Sequence, residues 1–499
     1  MGCMPDDVTA DKGGAFEVGM IVARITRGAD FHKKTISPYL YAAALMGMFT
    51  FLFLGAEYLF VNVLSGVVSE DKTVLAQNYA LGISAAGFVL YPLSGRFQKD
   101  RLKAVCAVFG GLLSVLCMGF ICSGTAYAGI FAAGLVLFLL LGGVGSAVFY
   151  ASVRMMKTDR YLARTVGVSY GAGVLLQFVN NNLIRSGIAE AAMLSVCLLI
   201  LIALLMKCRR DSCERRETPA DPPAKEKQGG GKEEKMGSVV GGLFVLLVAL
   251  MTCIFSTLDN VVTLVHSRGE MDIGQWPRIL LALSGVAAGF VFDLNNRKYT
   301  GFIMYCVMVL STICIAVLEF SGSFLVGLVV FYLSAGFFAV FFTSGSMEIS
   351  RHRKTPELWA GMGRAVNNIT AAVIARPVLG LMSSDSTLAV IVLVLVLFAA
   401  VSVVAAVYTF RKKTFFEQLV SAATEERDEK EKLRNFAEVF SFTERETEVF
   451  DRLVNTEDSI QAIAESLYIS RRTLERYISA IYEKTGVRSR IGLLKLYNK

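Results

Sequence analysis

Twelve apolar stretches, each long enough to cross a lipid bilayer as a helix, recur along the 499-residue chain. A bilayer core about 30 Å thick is crossed by about 20 apolar residues. The chain is 54% hydrophobic and its mean hydropathy is +0.54. These values are too apolar for a soluble protein of this length and indicate many membrane spans. The predicted spans lie at 38–64, 74–94, 104–124, 126–153, 162–183, 188–206, 238–265, 274–293, 300–319, 322–347, 357–382 and 387–410.

The spans form two sets of six, at 38–206 and 238–410, on either side of a break at 207–237. The break contains prolines and a triple-glycine run among charged residues, which is typical of a flexible cytoplasmic linker. Residues 1–37 are mostly polar and predict a cytoplasmic N-terminal tail without a cleavable signal peptide. Residues 411–440 predict a connector, either one continuous helix or a plain charged linker.

Lys and Arg residues concentrate in alternate loops between the spans. One set of loops contains Arg96, Lys99, Arg101, Lys103, Arg154, Lys157, Arg160, Arg164, Lys207, Arg209, Arg210, Arg215, Arg216, Arg297, Lys298, Arg351, Arg353, Lys354, Arg411, Lys412 and Lys413. The intervening loops contain Lys72, Arg185 and Arg268. Loops rich in Lys and Arg stay in the cytoplasm, and an even number of spans returns the chain to its starting side. We therefore expect a multi-pass protein of the inner (cytoplasmic) membrane, surrounded by lipid, with both termini in the cytoplasm.

Residues 441–499 predict a small soluble module of four short helices. The helix boundaries are indicated by a capping box of Thr443 and Glu446, by Asp458 or Ser459, by Ser470 and Gly486, and by the range 490–497. The first two helices are mainly acidic, and residues 470–499 are mainly basic. A short turn between two helices, the second of them basic, predicts a helix-turn-helix that binds double-stranded DNA. Two copies are expected to bind as a homodimer on half-sites related by symmetry.

The segments TERETEVF, IAESLYIS and RRTLERYISAIYEKTGVRSR resemble the LuxR-type helix-turn-helix family. This resemblance implies that Glu475, Arg476 and Ser479 face base edges. It places Arg471, Arg472, Thr473 and Lys484 near phosphates, and the predicted DNA-binding set also includes Ser470 and Arg488. The family usually has a basic residue where Glu475 stands. Glu475 either accepts a hydrogen bond from cytosine N4 or is a solvated charge.

Short motifs repeat between the two sets of spans. Ala147–Tyr150 matches Ala339–Phe342, Gly167 matches Gly361, and Glu57 matches Asp259. The segment Gly289–Lys298 has the pattern GxxxDxxxRK, which resembles the signature loop of major facilitator superfamily transporters, and its first-half counterpart Gly95–Arg101 is degenerate. The predicted fold is therefore all-α: a 12-helix transmembrane bundle of two six-helix repeats, followed by a four-helix LuxR-type helix-turn-helix domain.

Polar side chains inside predicted spans are candidates for a ligand site, because such groups are costly in lipid. The candidates are Glu57, Gln177, Asp259, Arg278 and Arg376 in the outer halves of their spans, and Asn367 deeper in its span; Asn368 lies at the depth of Asn367, and Arg364 lies deeper still. One interpretation is a cavity that binds a small molecule. The other is that the two acids form structural ion pairs with Arg278 and Arg376, or that Arg376 extends to the membrane surface.

Two hypotheses for the function follow. The first is a membrane-embedded one-component transcription regulator, in which the membrane domain senses a small molecule and controls DNA binding. The second is a transporter of the major facilitator type with an appended regulatory DNA-binding domain. An enzyme is not expected, because the three histidines are scattered and the ten cysteines have no ligand-like spacing. No metal or cofactor is expected for the same reason.

Overall fold

The computed structural model describes residues 13–94, 100–124, 126–156, 158–184, 186–217, 230–272, 275–319, 324–382 and 387–498. Within these ranges the chain is helical, without a β-strand. It divides into two compact units, Met1–Lys412 and Lys413–Lys499. Some residues on which sequence predictions rest lie outside the described ranges: Arg96, Lys99, Lys157, Arg185 and the linker residues 218–229.

Thirteen α-helices begin in the described part of the first unit. They are α1 (Gly13–Ser65), α2 (Glu70–Ser94), α3 (Asp100–Ser123), α4 (Tyr127–Met155), α5 (Leu162–Leu183), α6 (Gly187–Glu217), α7 (Gly230–Ser267), α8 (Pro277–Phe292), α9 (Thr300–Glu319), α10 (Phe324–Ser350), α11 (Pro356–Ala360), α12 (Met362–Met382) and α13 (Thr387–Val439). A 3-10 helix, Leu294–Arg297, follows α8.

Within the described residues, each of the twelve predicted spans overlaps a helix, and the span at 357–382 is divided into α11 and α12. Among the described residues, nine helices are long and apolar enough to cross a membrane, and two apolar helices, Pro277–Phe292 and Thr300–Ile313, are shorter. The chain is thus a multi-pass membrane protein. Residues 207–217 continue α6 as helix, and 230–237 form the start of α7.

The packing of the second half repeats that of the first. Extensive contacts join α2 to α4, α1 to α5 and α3 to α4, and the corresponding pairs are α8 with α10, α7 with α12 and α9 with α10. Across the two halves, α5 packs on α8 and α2 packs on α12. These two contacts are equivalent, because α2 corresponds to α8 in the repeat and α5 corresponds to α12. The first of these crossings depends on glycine: a Cβ added to Gly167 of α5 would lie 2.5 Å from the carbonyl oxygen of Gly285. The two six-helix repeats predicted from the sequence are therefore present in the packing.

The second unit contains the end of α13 and four short helices: α14 (Glu444–Asn455), α15 (Ile460–Ser466), α16 (Arg471–Thr485) and α17 (Arg490–Tyr497). The predicted capping box is confirmed, since Thr443 and Glu446 exchange side-chain and backbone hydrogen bonds. Of the two predicted caps for α15, Ser459 is the one that accepts a bond, from the amide of Ala462. Apolar side chains from all four helices form one core.

Candidate functional site

The predicted polar residues of the first unit lie on helices from both halves. Glu57 of α1 and Asp259 of α7 occupy matching helices and are both half-buried. Glu57 accepts a 2.7 Å hydrogen bond from Nε2 of Gln77. Asp259 lies close enough to Glu57 and Arg278 to interact with both electrostatically. Three of the six predicted ligand-site residues are thus gathered in one region.

Arg278 begins α8 within this region. Arg278 is 9% exposed, and among the described residues its Nε has no hydrogen-bond partner. Within the described part of the chain, Arg278 forms no ion pair within 4.0 Å, unlike Arg297 and Arg351, so the ion pairs considered from the sequence with Glu57 and Asp259 are not formed at that distance. The buried guanidinium therefore has no direct counter-ion among the residues that the structure describes.

Arg364 of α12 joins the same region, and it was noted from the sequence only as a deeper residue. It is 9% exposed and interacts electrostatically with Glu57 and Tyr170. Its guanidinium carbon lies over two aromatic rings, 5.4 Å from the centroid of Phe53 and 5.2 Å from that of Phe342. Long-range packing of α1 and α10 supplies those rings, so no local sequence signal predicts this enclosure.

The remaining predicted residues have other surroundings. Gln177 is fully buried and donates a 2.8 Å hydrogen bond to the carbonyl of Leu54, one turn before Glu57 on α1. Asn367 accepts a bond of 3.2 Å from the hydroxyl of Thr252. Arg376 is exposed, unlike the other five residues. Its predicted role in ligand binding stays a prediction.

A second buried charged cluster lies where the basic loops meet. Glu348 of α10 is 2.8 Å from Nζ of Lys412 on α13 and 3.1 Å from the guanidinium of Arg297. Asp159, between α4 and α5, pairs with Arg351 at 2.7 Å and with Arg297 at 3.9 Å. Burial opposes the charge of Arg297, but three neighbouring carboxylates raise the pKa of its guanidinium above the ordinary value. In this cluster, unlike the region around Arg278, the buried cations are paired.

The helix of the second unit that is predicted to read DNA is α16. The hydroxyl of Ser470 caps it by accepting from the amide of Thr473 at 3.1 Å. Gly486 ends the helix at φ +70°, a left-handed conformation that favours glycine. Leu474, Ile478 and Ile481 are buried on one face. The helix therefore has a fixed start, a fixed end and a fixed inner face.

The opposite face of α16 is exposed and carries five of the predicted DNA-binding residues. They are Arg471, Arg472, Glu475, Arg476 and Ser479. Residues three and four apart lie on one side of a helix, so these side chains present a single surface. Arg471 Nε donates to Glu475 Oε1 at 2.9 Å, which holds the Glu475 carboxylate in an intrahelical ion pair.

Lys484, near the end of α16, has two partners within the domain. Its Nζ donates to Glu446 Oε2 at 2.6 Å and to the carbonyl of Ser441 at 2.9 Å. Burial opposes ionisation of Glu446, but hydrogen bonds from Lys484 and Thr443 outweigh burial and hold the pKa of that carboxyl below its ordinary value. Lys484 thus joins the recognition helix to the capping box, and its predicted phosphate contact stays a prediction. Arg488 is exposed beyond the end of the helix.

Residues 440–496 match the family model described as "Bacterial regulatory proteins, luxR family". The C-terminal domain is a LuxR-type helix-turn-helix. The match covers the four helices α14 to α17, whose geometry has just been described. DNA binding by this domain follows from the family, and the exposed basic face of α16 is the surface suited to it.

Solved transporter structures are similar to the chain at low sequence identity. The POT family transporter PepTSo is 12% identical, with a TM-score of 0.48 over 77% of this chain and 99% of that chain. The human organic anion transporter MFSD10 (TETRAN) is 13% identical, with a TM-score of 0.47 over 76% of this chain and 99% of that chain. The nucleoside transporter NupG is 12% identical, with a TM-score of 0.45 over 75% and 99%. No curated protein matches the chain.

The LuxR-type domain has two structural residues that sequence reasoning missed. Arg490 donates to the carbonyls of Leu453 and Asp458, both at 2.8 Å, and to that of Thr456. It thereby satisfies backbone carbonyls in the last turn of α14, at its C-cap and in the loop that follows. The second missed residue is Phe436, on α13.

Phe436 packs into the core of the LuxR-type domain from the connector. Its ring lies 4.8 Å from that of Phe450 with an interplanar angle of 3°, and 5.5 Å from the ring of Tyr497. Leu433 packs against the same core. The last two turns of α13 are therefore part of the folded DNA-binding domain, although the sequence boundary was placed at 441.

Proposed function

We propose that the chain is a membrane-embedded one-component transcription regulator. The membrane unit binds a small molecule, and the bound state changes DNA binding by the LuxR-type domain. The observation that supports this proposal most directly is α13, a single helix from Thr387 to Val439. Its first part is an apolar helix of the membrane unit, and its last turns belong to the core of the DNA-binding domain.

The two ends of α13 are each held within their own unit. In the membrane unit, Lys412 is bonded to Glu348 of α10. In the second unit, Phe436 packs on Phe450. A helix anchored at both ends transmits a change in the bundle more directly than a flexible tether does. This arrangement favours coupled regulation over two independent functions that share one chain.

The sensing step is assigned to the region of Glu57, Asp259, Arg278 and Arg364. These residues come from α1, α7, α8 and α12, so the region combines both repeats. A ligand shifts an equilibrium only by its difference in affinity for the two states. A site built from both halves binds a ligand with different affinities in the two states, because any rearrangement of the halves changes the shape of the site. No enzymatic step is proposed.

DNA recognition is proposed to use two copies of the domain on symmetric half-sites. We expect Arg476→Ala to weaken specific binding by about 1–3 kcal/mol and to relax base preference, because Arg476 is exposed on α16 and the LuxR resemblance implies that it faces base edges. Arg471→Ala should weaken binding to all sequences and flatten the salt dependence. The measurement is genome-wide occupancy of the full-length protein by chromatin immunoprecipitation, then titration of one enriched fragment at several salt concentrations.

Arg445→Ala is the matched control for this experiment. Arg445 is exposed on α14 and pairs with Glu448 at 2.6 Å, outside the recognition helix. It should leave occupancy unchanged. If Arg476→Ala behaves like Arg445→Ala in both affinity and base preference, α16 does not read DNA with this face.

The proposed orientation places the DNA-binding domain in the cytoplasm. We expect a cysteine at Glu270, in the loop after α7, to react with a membrane-impermeant maleimide in intact cells. A cysteine at Lys298 should react only after lysis. Both positions are exposed, and Glu270→Cys leaves the nearby 2.8 Å pair of Arg268 and Glu70 intact. The background variant has its ten native cysteines replaced by serine. Labelling of Lys298→Cys in sealed cells would reverse the orientation.

Transport by the membrane unit is the competing function. Uptake of a labelled ligand into vesicles, measured beside genome occupancy of the same protein, separates the two. Uptake with no ligand-dependent change in occupancy favours the transporter, and the reverse result favours the regulator.

A further inference from the structure

Among the described residues of the membrane unit, two buried arginines form no ion pair with a carboxylate, in contrast to the buried Arg297. Arg278 and Arg364 are each 9% exposed, and the Nε atom of each has no hydrogen-bond partner. Arg297 is buried to a similar degree, 8% exposed, but lies 3.1 Å from Glu348 and also pairs with Asp159. In the described ranges, the ion pairs within 4.0 Å include those of Arg297 and Arg351 but none of Arg278 or Arg364.

An unpaired buried guanidinium is costly, more so in a membrane-spanning bundle. The nearest acids do not remove this cost directly. Glu57 is within electrostatic reach of both arginines, but its Oε1 is bonded to Gln77 at 2.7 Å. Asp259 is within electrostatic reach of Arg278. The fold thus keeps two buried cations in one region with their N–H donors incompletely used.

The surroundings of Arg364 fit a ligand bound at the edge of the guanidinium. The rings of Phe53 and Phe342 lie 5.4 and 5.2 Å from its central carbon, so aromatic faces stabilise the cation. The N–H groups point outward in the guanidinium plane, where a planar oxyanion accepts two parallel hydrogen bonds. Tyr332, 4% exposed, and Tyr170 add phenol groups within electrostatic reach of Arg278.

We infer that Arg278 and Arg364 form a binding site for the carboxylate of a small organic ligand. This inference rests on the proposed function, because it names the ligand class of the sensing region. A simple organic acid and an amino acid share the carboxylate. They differ in the ammonium group, for which Asp259 is the available partner. The test therefore includes both kinds of probe.

The binding arm of the test is thermal unfolding of the full-length protein purified in detergent. The probes are benzoate, 3-phenylpropionate, succinate, glycine and phenylalanine, each compared with its carboxamide. We expect at least one carboxylate to raise the melting temperature by about 2–4 °C, as a ligand that binds only the folded state does, and its carboxamide to have no effect. A shift by phenylalanine or glycine alone would assign the amino-acid class.

Substitutions at two arginines make this arm specific. Arg278→Gln should abolish the shift, whereas Arg376→Gln should retain it, because Arg376 is an exposed guanidinium on the same helix as Arg364. Arg278→Lys keeps the charge but loses the paired N–H donors, so it should reduce the rise in melting temperature. This variant replaces Arg278→Gln if the Arg278→Gln protein is not recovered. Absence of any carboxylate-dependent shift across the panel overturns the inference.

A second measurement compares the melting temperatures of variants without ligand, so it does not depend on the choice of probe. Arg278→Gln and Arg364→Gln should leave the melting temperature of the free protein unchanged or higher, because each removes a buried charge without a partner. Arg297→Gln should lower it, because it breaks a paired cluster. If all three variants lose the same number of degrees, the two arginines are structural and the inference is wrong.

Genome occupancy separates this inference from the proposed function. Occupancy that persists while carboxylates fail to bind rejects the ligand class and leaves the regulator intact. Absence of occupancy by the unmodified full-length protein rejects the regulator, regardless of what the membrane unit binds.

Discussion

Replacing Glu348 with glutamine is expected to lower the free energy of unfolding of the membrane unit by about 3–5 kcal/mol. The Glu348 side chain is 5% exposed and lies 2.8 Å from Lys412 and 3.1 Å from Arg297. Glutamine has nearly the same shape but no charge. Packing is therefore retained, while Lys412 loses the carboxylate bonded to it and Arg297 loses the nearest of its three carboxylate neighbours.

The measurement is thermal unfolding of the full-length protein in detergent, followed by tryptophan fluorescence. This signal reports on the membrane unit, because both tryptophans, Trp276 and Trp359, lie in it. The matched control is Glu417→Gln. Glu417 is 66% exposed and pairs with Lys413 at 3.8 Å, so its loss should change stability by less than about 0.5 kcal/mol. Equal melting temperatures for the two variants would show that the Glu348 cluster does not stabilise the bundle.

Helix caps were the most predictable part of the structure. The capping box of Thr443 and Glu446, the Ser470 cap and the Gly486 terminus were all read from the sequence and are confirmed. The reason is that a cap depends on atoms two or three residues apart, so local chemistry is sufficient. Asp458 and Ser459 are neighbours and both are residue types that cap helices, so the local sequence does not decide which of them is the N-cap of α15.

Pairing between distant residues was not predictable in the same way. Arg278 and Asp259 are identified from the sequence as polar residues inside spans; in the described structure they interact electrostatically but form no direct ion pair. Glu348 was not singled out, although it pairs with Lys412, 64 residues away. Hydropathy reports only that a polar group is costly in lipid. The choice of partner depends on which helices pack together, and this is a property of the whole bundle.

In the DNA-binding domain, too, the sequence does not show which charged side chains have intramolecular partners. Lys484 and Arg490 contributed to the basic character that predicted DNA binding. The structure gives both of them intramolecular partners: Lys484 bonds to Glu446, and Arg490 to the carbonyl of Leu453. A count of basic residues therefore overestimates the charges that are free to meet phosphate. The exposed arginines of α16 are the better candidates.

Phe436→Ala is expected to destabilise the LuxR-type domain by about 3 kcal/mol, the low end of the range for a large aromatic side chain, because Phe436 is only partly buried. Its ring packs on Phe450 at 4.8 Å and on Tyr497 at 5.5 Å. The measurement is urea unfolding of a fragment covering residues 425–499, followed by circular dichroism. Val439→Ala is the control, since Val439 is on the same helix and 76% exposed.

A fragment that starts at residue 441 should show a loss at least as large as Phe436→Ala, because it lacks both Phe436 and Leu433. That result would place the end of α13 inside the DNA-binding domain. Since α13 begins at Thr387 in the membrane unit, one helix would then be a structural part of both units. Unchanged stability on removing residues 425–440 would instead mean that the connector only tethers the domain, and α13 would lose its proposed role in transmitting the ligand signal.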